Sequence, residues 1–255
     1  MDIKTEEIIS GSSKPKQISS KPRTVCEIFR FQPENMEQMP LGNLFIVAGL
    51  CLIRDCGHLN NLLASLIKRE YYSYPQKGAL KSLQSALKKA NSHLDELAKQ
   101  GNCEWMNKIH FICATIAGRN LQFAQAGDSK TYLFRQGHFI DLGRKAVPDT
   151  RDPDPSKIFS SVVSGNIEAE DILIMATPQI EEVFSANGLK QLVTSRPGLP
   201  DISDQINKVL REQEKTRHLA ILLLQTQQEP EPPASQPDKN RKIITPPINL
   251  SEILN

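Results

Sequence analysis

The spacing of apolar residues changes along the chain and predicts where strands and helices occur. Two runs rich in β-branched and aromatic residues, TVCEIFRFQ (24–32) and LFIVAGLCLI (44–53), predict strands. A helix follows, and the apolar residues of its buried face recur at steps of three and four: Leu59, Leu62, Leu63, Leu66 and Ile67. A second amphipathic helix is predicted from about residue 79 to 100, and Gly101 provides its left-handed cap.

A run of short strands is predicted after the two helices. Its four segments are apolar or alternating: 109–118, 121–127, 130–137 and 138–143. Turns of Gly-Arg-Asn, Gly-Asp-Ser and Gln-Gly separate them and predict hairpins. After a long Pro- and Asp-rich segment (143–157), the pattern predicts a strand at DILIMAT (171–177), three helices and a closing strand, HLAILLLQ. Clustered strands and clustered helices indicate an α+β fold, with two antiparallel sheets face to face and helices outside.

Composition divides the chain into one domain and two tails. Residues 1–22 are rich in Ser, Lys and Pro and are predicted to be disordered, as is the Pro-rich tail 227–255. The domain therefore spans residues 23–226. Apolar residues return in IITPPINLSEILN (243–255), which we interpret as the end of a frayed tail, with a short docking peptide as the alternative.

Charge and cysteine content exclude several classes of protein. The formal net charge is +2 and no basic cluster is interleaved with aromatic residues, which argues against nucleic acid or an anionic membrane as partner. The N-terminal segment lacks the apolar core of a secretory signal, and the longest apolar run, at ten residues, is too short to span a membrane. Five cysteines without a CxxC pair suit a reducing compartment, so we expect a cytoplasmic protein.

Four segments resemble the PPM family of metal-dependent serine/threonine protein phosphatases. They are AGDSKTYLFRQGHFIDL (126–142), with its Gly-Asp-Ser turn and later Gln-Gly, IEAEDILIMATPQIEEVFS (167–185), REQEKTRHLAILLLQ (211–225) and LGNLFIVAG (41–49). The resemblance implies an α-β-β-α sandwich with a cleft at the strand ends. It also implies two divalent ions, Mg²⁺ or Mn²⁺, held there by aspartates, and a metal-activated water that attacks a phosphate ester.

The metal-ligand positions implied by this resemblance are changed in this chain. Pro178 replaces the aspartate that follows the Ala-Thr pair, and it has no side-chain oxygen. The early Asp-Gly corresponds to Ala48-Gly49 or Gly49-Leu50, depending on the alignment. The aspartate of the closing Asp-Asn is replaced by Arg217 or by His218. We therefore expect no catalytic residues, no metal and no cofactor.

Four carboxylates remain as residual metal-ligand candidates. Glu34 or Glu37 would be the N-terminal acidic ligand, and Asp55 lies a few residues past the expected Asp-Gly. Asp128 corresponds to an aspartate that, by resemblance, contributes to a further, weaker metal position. We interpret Asp55 as a residue at the helix N-terminus, where either Asp55 or Gly57 is the cap, and Asp128 as a turn residue whose side chain bonds nearby backbone.

Other chemistry receives less support. Cys51, Cys56 and His58 do not match a zinc-ligand spacing, so buried cysteine is the preferred interpretation. His110 and His138 begin strands and are interpreted as surface or sheet-edge histidines. Trp105 is expected to pack against the helix pair.

Three functional hypotheses follow. The preferred one is a non-catalytic regulatory module that binds an unidentified protein, with Arg217 and His218 as candidate phosphate donors if that partner is a phosphoprotein. The alternative is an active phosphatase whose Mg²⁺ or Mn²⁺ site is rebuilt from Glu34, Glu37, Asp55 and Asp128. The third is a scaffold whose Pro-rich tail captures partners.

Overall fold

Two antiparallel sheets face each other in the computed structural model, which describes residues 2–11, 23–52, 56–145, 154–195, 198–212 and 218–227. These ranges contain ten strands: β1 (Asp2–Ser10), β2 (Arg23–Phe31), β3 (Asn43–Leu52), β4 (Ile109–Ala117), β5 (Asn120–Ala126), β6 (Lys130–Arg135), β7 (His138–Asp141), β8 (Val163–Asn166), β9 (Ile172–Ala176) and β10 (Leu219–Gln227). The first sheet has the order β1-β10-β9-β6-β7 and the second the order β2-β3-β4-β5-β8. Each pairing between neighbouring strands is antiparallel.

Helices cover the outer face of each sheet. The second sheet carries the two long helices, α1 (Cys56–Ser73) and α2 (Ala79–Lys99). The first sheet carries the three shorter ones: α3 (Ile180–Val183), α4 (Ala186–Thr194) and α5 (Leu199–Glu212). The layers are therefore α-β-β-α, and the predicted sandwich is confirmed.

The central strands are apolar throughout because both of their faces are buried. On β3, Leu44 and Ile46 pack toward the helices, whereas Phe45 and Val47 point into the space between the sheets. A strand covered on one side only alternates apolar and polar residues, but a strand covered on both sides does not. This explains why residues 44–53 read as a continuous apolar run.

The link between α2 and β4 has the expected cap and the expected position of the tryptophan. Gly101 adopts φ +85°, and its N–H donates to the carbonyl of Ala98 at 3.0 Å. Trp105 is buried with the residues that α1 and α2 place on the second sheet. Its indole N–H donates to the Asn102 carbonyl at 2.8 Å, so this large side chain is buried without an unpaired donor.

The N-terminal segment corrects the predicted domain boundary. Residues 2–10, predicted to be disordered, form β1, which pairs with β10 over nine residues, and Ile8 is buried in the apolar cluster of the first sheet. The sequence criterion failed because β1 is stabilised by hydrogen bonds to a strand more than 200 residues away, which local composition does not reveal. Residues 12–22 and the tail 228–255 lie outside the described residues. The short strand β8 was also not predicted.

The Gly-Asp-Ser turn does not form the predicted hairpin. It follows β5 in the second sheet and precedes β6 in the first, so it carries the chain from one sheet to the other. The other two turns do join paired strands, β4 to β5 and β6 to β7. Among the described residues, no helix is both long and apolar enough to cross a membrane.

Candidate functional site

Two of the changed ligand positions meet at one end of the sandwich. Gly49 on β3 pairs with Cys26 on β2 and with His110 on β4. Thr177 directly follows β9 in the opposite sheet, and a Cβ built on Gly49 would lie 2.9 Å from its Cγ2 atom. Pro178 is the next residue. We call Cys26, Gly49, His110, Thr177 and Pro178 the strand-end site.

Thr177 is held in place by two hydrogen bonds to β10. Its backbone N–H donates to the Ala220 carbonyl at 3.0 Å, and its Oγ1 accepts the Ala220 N–H at 3.2 Å. The hydroxyl oxygen therefore extends the pairing of β9 with β10 beyond the end of β9. This side chain is buried and contacts the strand opposite, so Thr177 closes the space beside Gly49.

The thiol of Cys26 is a neutral group in this site. Burial raises its pKa to about 12, and a hydrogen bond with the Thr177 side chain only partly opposes this effect. A thiol with such a pKa stays protonated at neutral pH. It offers neither a nucleophile nor an anionic metal ligand.

His110 is fixed by the turn that connects the two sheets. Its Nδ1 accepts the backbone N–H of Asp128 at 3.1 Å. Burial lowers the pKa of His110, against a smaller opposing effect of the Asp128 charge. The ring is therefore neutral at physiological pH, with its proton on Nε2, because Nδ1 accepts a hydrogen bond.

Glycine is required in this turn. Gly127 has φ +63°, and a Cβ there would come within 2.3 Å of the Ile109 carbonyl oxygen and 2.7 Å of the His110 Nδ1 atom. Backbone and imidazole leave no space for a side chain. The prediction of a surface or edge position is thus wrong for His110, which is partly buried in an inner strand, and correct for His138, which is exposed on the edge strand β7.

The residual carboxylates do not gather at the strand-end site. Glu34 and Glu37 follow the far end of β2, and the strand from Cys26 to Phe31 alone is about 16 Å long. Glu34 instead binds the Lys68 ammonium group at 2.7 Å. Glu37 is exposed. Strand β2 therefore holds Glu34 and Glu37 at the opposite end of the sandwich from the strand-end site.

The other predicted site residues divide into those at the same end and those outside the described residues. Asp128 is exposed at this end, where its own N–H binds His110. His218 directly precedes β10, two residues before Ala220, and is partly buried. Its imidazole lies against Gly11, where a Cβ would be 2.5 Å from the His218 Nδ1 atom. Asp55 and Arg217 lie outside the described residues.

This donor set does not fit a pair of Mg²⁺ or Mn²⁺ ions. Such ions require several oxygen ligands, mostly anionic. Gly49 and Pro178 supply no side-chain donor, the Thr177 hydroxyl oxygen accepts from β10, and Cys26 is a neutral thiol. In the part of the chain that the structure describes, no three His, Cys, Asp or Glu side chains are grouped so that they would hold a metal ion.

Comparison with known proteins finds similarity at the level of the fold. No family model matches the chain. No curated protein matches it either. Among solved structures, the serine/threonine phosphatase Stp1 from Staphylococcus aureus is 14% identical with a TM-score of 0.61, and the match covers 90% of this chain and 96% of that one.

Two further structures give the same result. The Mycobacterium tuberculosis serine/threonine phosphatase PstP/Ppp is 12% identical with a TM-score of 0.58, over 89% of this chain and 99% of that one. The S. agalactiae serine/threonine phosphatase is 13% identical with a TM-score of 0.59, over 89% and 100%. The chain therefore has the fold of PPM-type serine/threonine phosphatases over nearly its whole length. At these identities, the likeness concerns the fold and not the activity.

Sequence reasoning missed the two contacts that organise the site, Gly49 against Thr177 and His110 against the Asp128 N–H. One signal for His110 was available. His110 precedes Ile112 and Ala114 by two and four residues on β4, so its side chain lies on the same face of the strand as theirs. That face borders the space between the sheets, so the imidazole points inward. The Gly49–Thr177 contact joins opposite sheets and has no counterpart in local sequence.

Proposed function

We propose that this protein is a pseudophosphatase: a non-catalytic module with a PPM-type phosphatase fold that acts by binding another protein. The main support is the packing of Gly49 against Thr177, beside Pro178. A carboxylate at position 49 would bring its Cβ within 2.9 Å of the Thr177 Cγ2 atom, a branched and rigid neighbour. The changed positions thus form a contact that contains no carboxylate, and a side chain at position 49 would have to displace Thr177.

The proposal includes no metal and no other cofactor. Activation of water by a metal at this place would require the anionic oxygens that Gly49 and Pro178 do not provide. The Thr177 hydroxyl oxygen already accepts a hydrogen bond from β10, the Cys26 thiol is neutral, and Asp128 is the one carboxylate that the described site residues place at this end. Because the described cysteines are free, we place the module in the cytoplasm.

Metal binding and hydrolysis by the full-length protein test this proposal. We expect no saturable Mn²⁺ binding by calorimetry and no Mn²⁺-dependent hydrolysis of p-nitrophenyl phosphate above the protein-free rate. Asp128→Ala, in the turn beside the strand-end site, and Glu37→Ala, at the far end of β2, form a matched pair. Turnover that is lost in Asp128→Ala and retained in Glu37→Ala would show a working metal centre and refute the proposal.

A phosphoprotein is the partner class that we propose for the module. The candidate donors are His218, which lies at the same end of the sandwich as Thr177, and its sequence neighbour Arg217. Phosphopeptides and their unphosphorylated counterparts would be titrated in EDTA, so that no metal contributes. We expect binding of the phosphorylated form only, abolished in Arg217→Ala. Equal binding of both forms would contradict this partner class without affecting the metal result.

A further inference from the structure

The outer surface of the helix pair contains a groove with an exposed apolar floor. Helices α1 and α2 pack together, and between them lies a groove of about 480 Å³. Leu62 and Leu66 line it from α1, and Leu62 is 43% exposed. Arg69 of α1 and Lys89 of α2 add positive charge to its lining.

One polar atom beside this groove lacks a partner. His93 on α2 lines the groove, and its Nε2 atom is buried without a hydrogen-bond partner among the described residues. Its Nδ1 atom lies 3.9 Å from a carboxylate oxygen of Glu96, which also lines the groove. Buried polar atoms in folded proteins nearly always have a partner. The groove therefore combines an exposed apolar floor with a lining histidine whose hydrogen-bonding capacity is incompletely used among the described residues.

We propose that this groove binds residues 250–254 of the same chain. In the segment Leu250-Ser251-Glu252-Ile253-Leu254, the three apolar residues are spaced to share one face of a helix. Docking covers Leu62 with these side chains and places Ser251, at the flank of that face, beside the His93 side of the groove.

Charge favours the same pairing. Residues 243–255 contain one charged side chain, Glu252, and so carry a net charge of −1. The groove lining contains Arg69, Lys89 and Glu96, so its Arg, Lys and Glu side chains sum to a net charge of +1. At an exposed site this attraction contributes less than the burial of the apolar face.

The segment is long enough to reach the groove. Gln227, the last described residue, ends β10 at the opposite end of the sandwich from Thr177 and Ala220. The C-terminal part of α1 lies at this same opposite end, because the Tyr71 hydroxyl donates to the Leu41 carbonyl just before β3 begins. From the first sheet to the outer helices the chain crosses two layer spacings of about 10 Å each. The 22 residues from 228 to 249 reach about 70 Å when fully extended, and such a tether gives an effective concentration in the millimolar range.

Photo-crosslinking in the full-length protein tests the proposal. A benzophenone amino acid replaces Ser251, and the crosslinked peptides are identified by mass spectrometry. We expect crosslinks within residues 62–69 and 89–96. Leu62→Asp lowers their yield about tenfold or more, because an apolar contact is replaced by a charge. Ile253→Asp has the same effect without altering the groove. Leu80→Asp is the matched control, because Leu80 is 38% exposed on α2 and does not line the groove.

Three results would overturn the proposal. Crosslinks that map mainly outside the groove would place the segment elsewhere. An equal loss of yield in Leu80→Asp would show that the effect is not specific to the groove. Crosslinks between labelled and unlabelled chains in a ¹⁵N/¹⁴N mixture would show that a second copy supplies the segment. None of these outcomes depends on the metal or phosphopeptide experiments.

Discussion

Replacing Arg135 by methionine is expected to destabilise the protein by about 3 kcal/mol, because it leaves a buried carboxylate without its counter-ion. Arg135 is the last residue of β6 and forms an ion pair with Asp171, which directly precedes β9. Its Nε atom donates to both carboxylate oxygens at 2.9 and 3.1 Å, and an Nη atom donates to one of them at 2.6 Å. Asp171 is only 1% exposed. The strand that this pair anchors leads to Thr177 and Pro178.

The magnitude follows from the burial of the two partners. Removing one partner of a buried ion pair costs about 3–5 kcal/mol. We take the lower end because the Arg135 side chain keeps 25% exposure and because the Glu168 N–H still donates to Asp171 at 2.7 Å. At this chain length, each kcal/mol lowers the melting temperature by about 2–4 °C, so the expected fall is about 6–12 °C.

Urea unfolding followed by tryptophan fluorescence measures this loss, since Trp105 is the single tryptophan and is buried. Lys99→Met is the control, because it breaks the exposed ion pair with Asp95, and its unfolding curve is expected to superimpose on that of the wild type. In Arg135→Met/Asp171→Asn, at least half of the lost stability is expected to return, because no charge is left buried. Superimposed curves for Arg135→Met and Lys99→Met would show that the buried Asp171 carboxylate does not depend on Arg135 for its stability.

Three further substitutions test the strand-end site and the Gly-Asp-Ser turn beside it. The folded-state pKa of His110 lies below the ordinary 6.5, so the unfolded chain takes up the proton at a higher pH than the folded chain does. As the pH falls below 6.5, the free energy of unfolding therefore decreases by up to about 1.4 kcal/mol per pH unit. His110→Asn, which keeps an acceptor near the Nδ1 position, is expected to flatten this fall in melting curves from pH 8 to 5, whereas the control, exposed His138→Asn, retains it. The interpretation is wrong if both variants give the same slope. Gly49→Ala is expected to lose about 1–3 kcal/mol in urea unfolding. In a Thr177→Ser background, which removes Cγ2 but keeps Oγ1, the loss is expected to shrink to below about 1 kcal/mol, and an equal loss in both backgrounds would exclude this contact as the cause. Gly127→Ala, at φ +63° against backbone, is expected to lose more stability than Gly49→Ala, and a thermal melt that shows a smaller loss would contradict the geometry of the turn.

The mode of burial decided which elements were predictable from sequence. The long helices α1 and α2 each contain a complete apolar face, and β3 and β9 are apolar runs of strand length, so their local pattern was sufficient. Strand β1 carries polar residues at many positions and depends on pairing with β10, so its pattern resembled that of a tail. The Gly-Asp-Ser turn has the residues of a hairpin turn, and only the partners of β5 and β6 show that it joins two sheets.

The same distinction applies to the candidate site. The sequence by itself determined the sandwich, through the grouping of its elements, and the replacement of ligand positions by Gly49 and Pro178, because residue identity alone excludes a carboxylate there. Only the tertiary structure decided that Gly49 packs against Thr177, that Asp128 fixes His110, and that Glu34 and Glu37 lie at the far end of β2. These contacts and distances relate opposite sheets or opposite ends of a strand. Strand register and the packing of the layers determine them over long sequence separations, so they cannot be predicted from local periodicity.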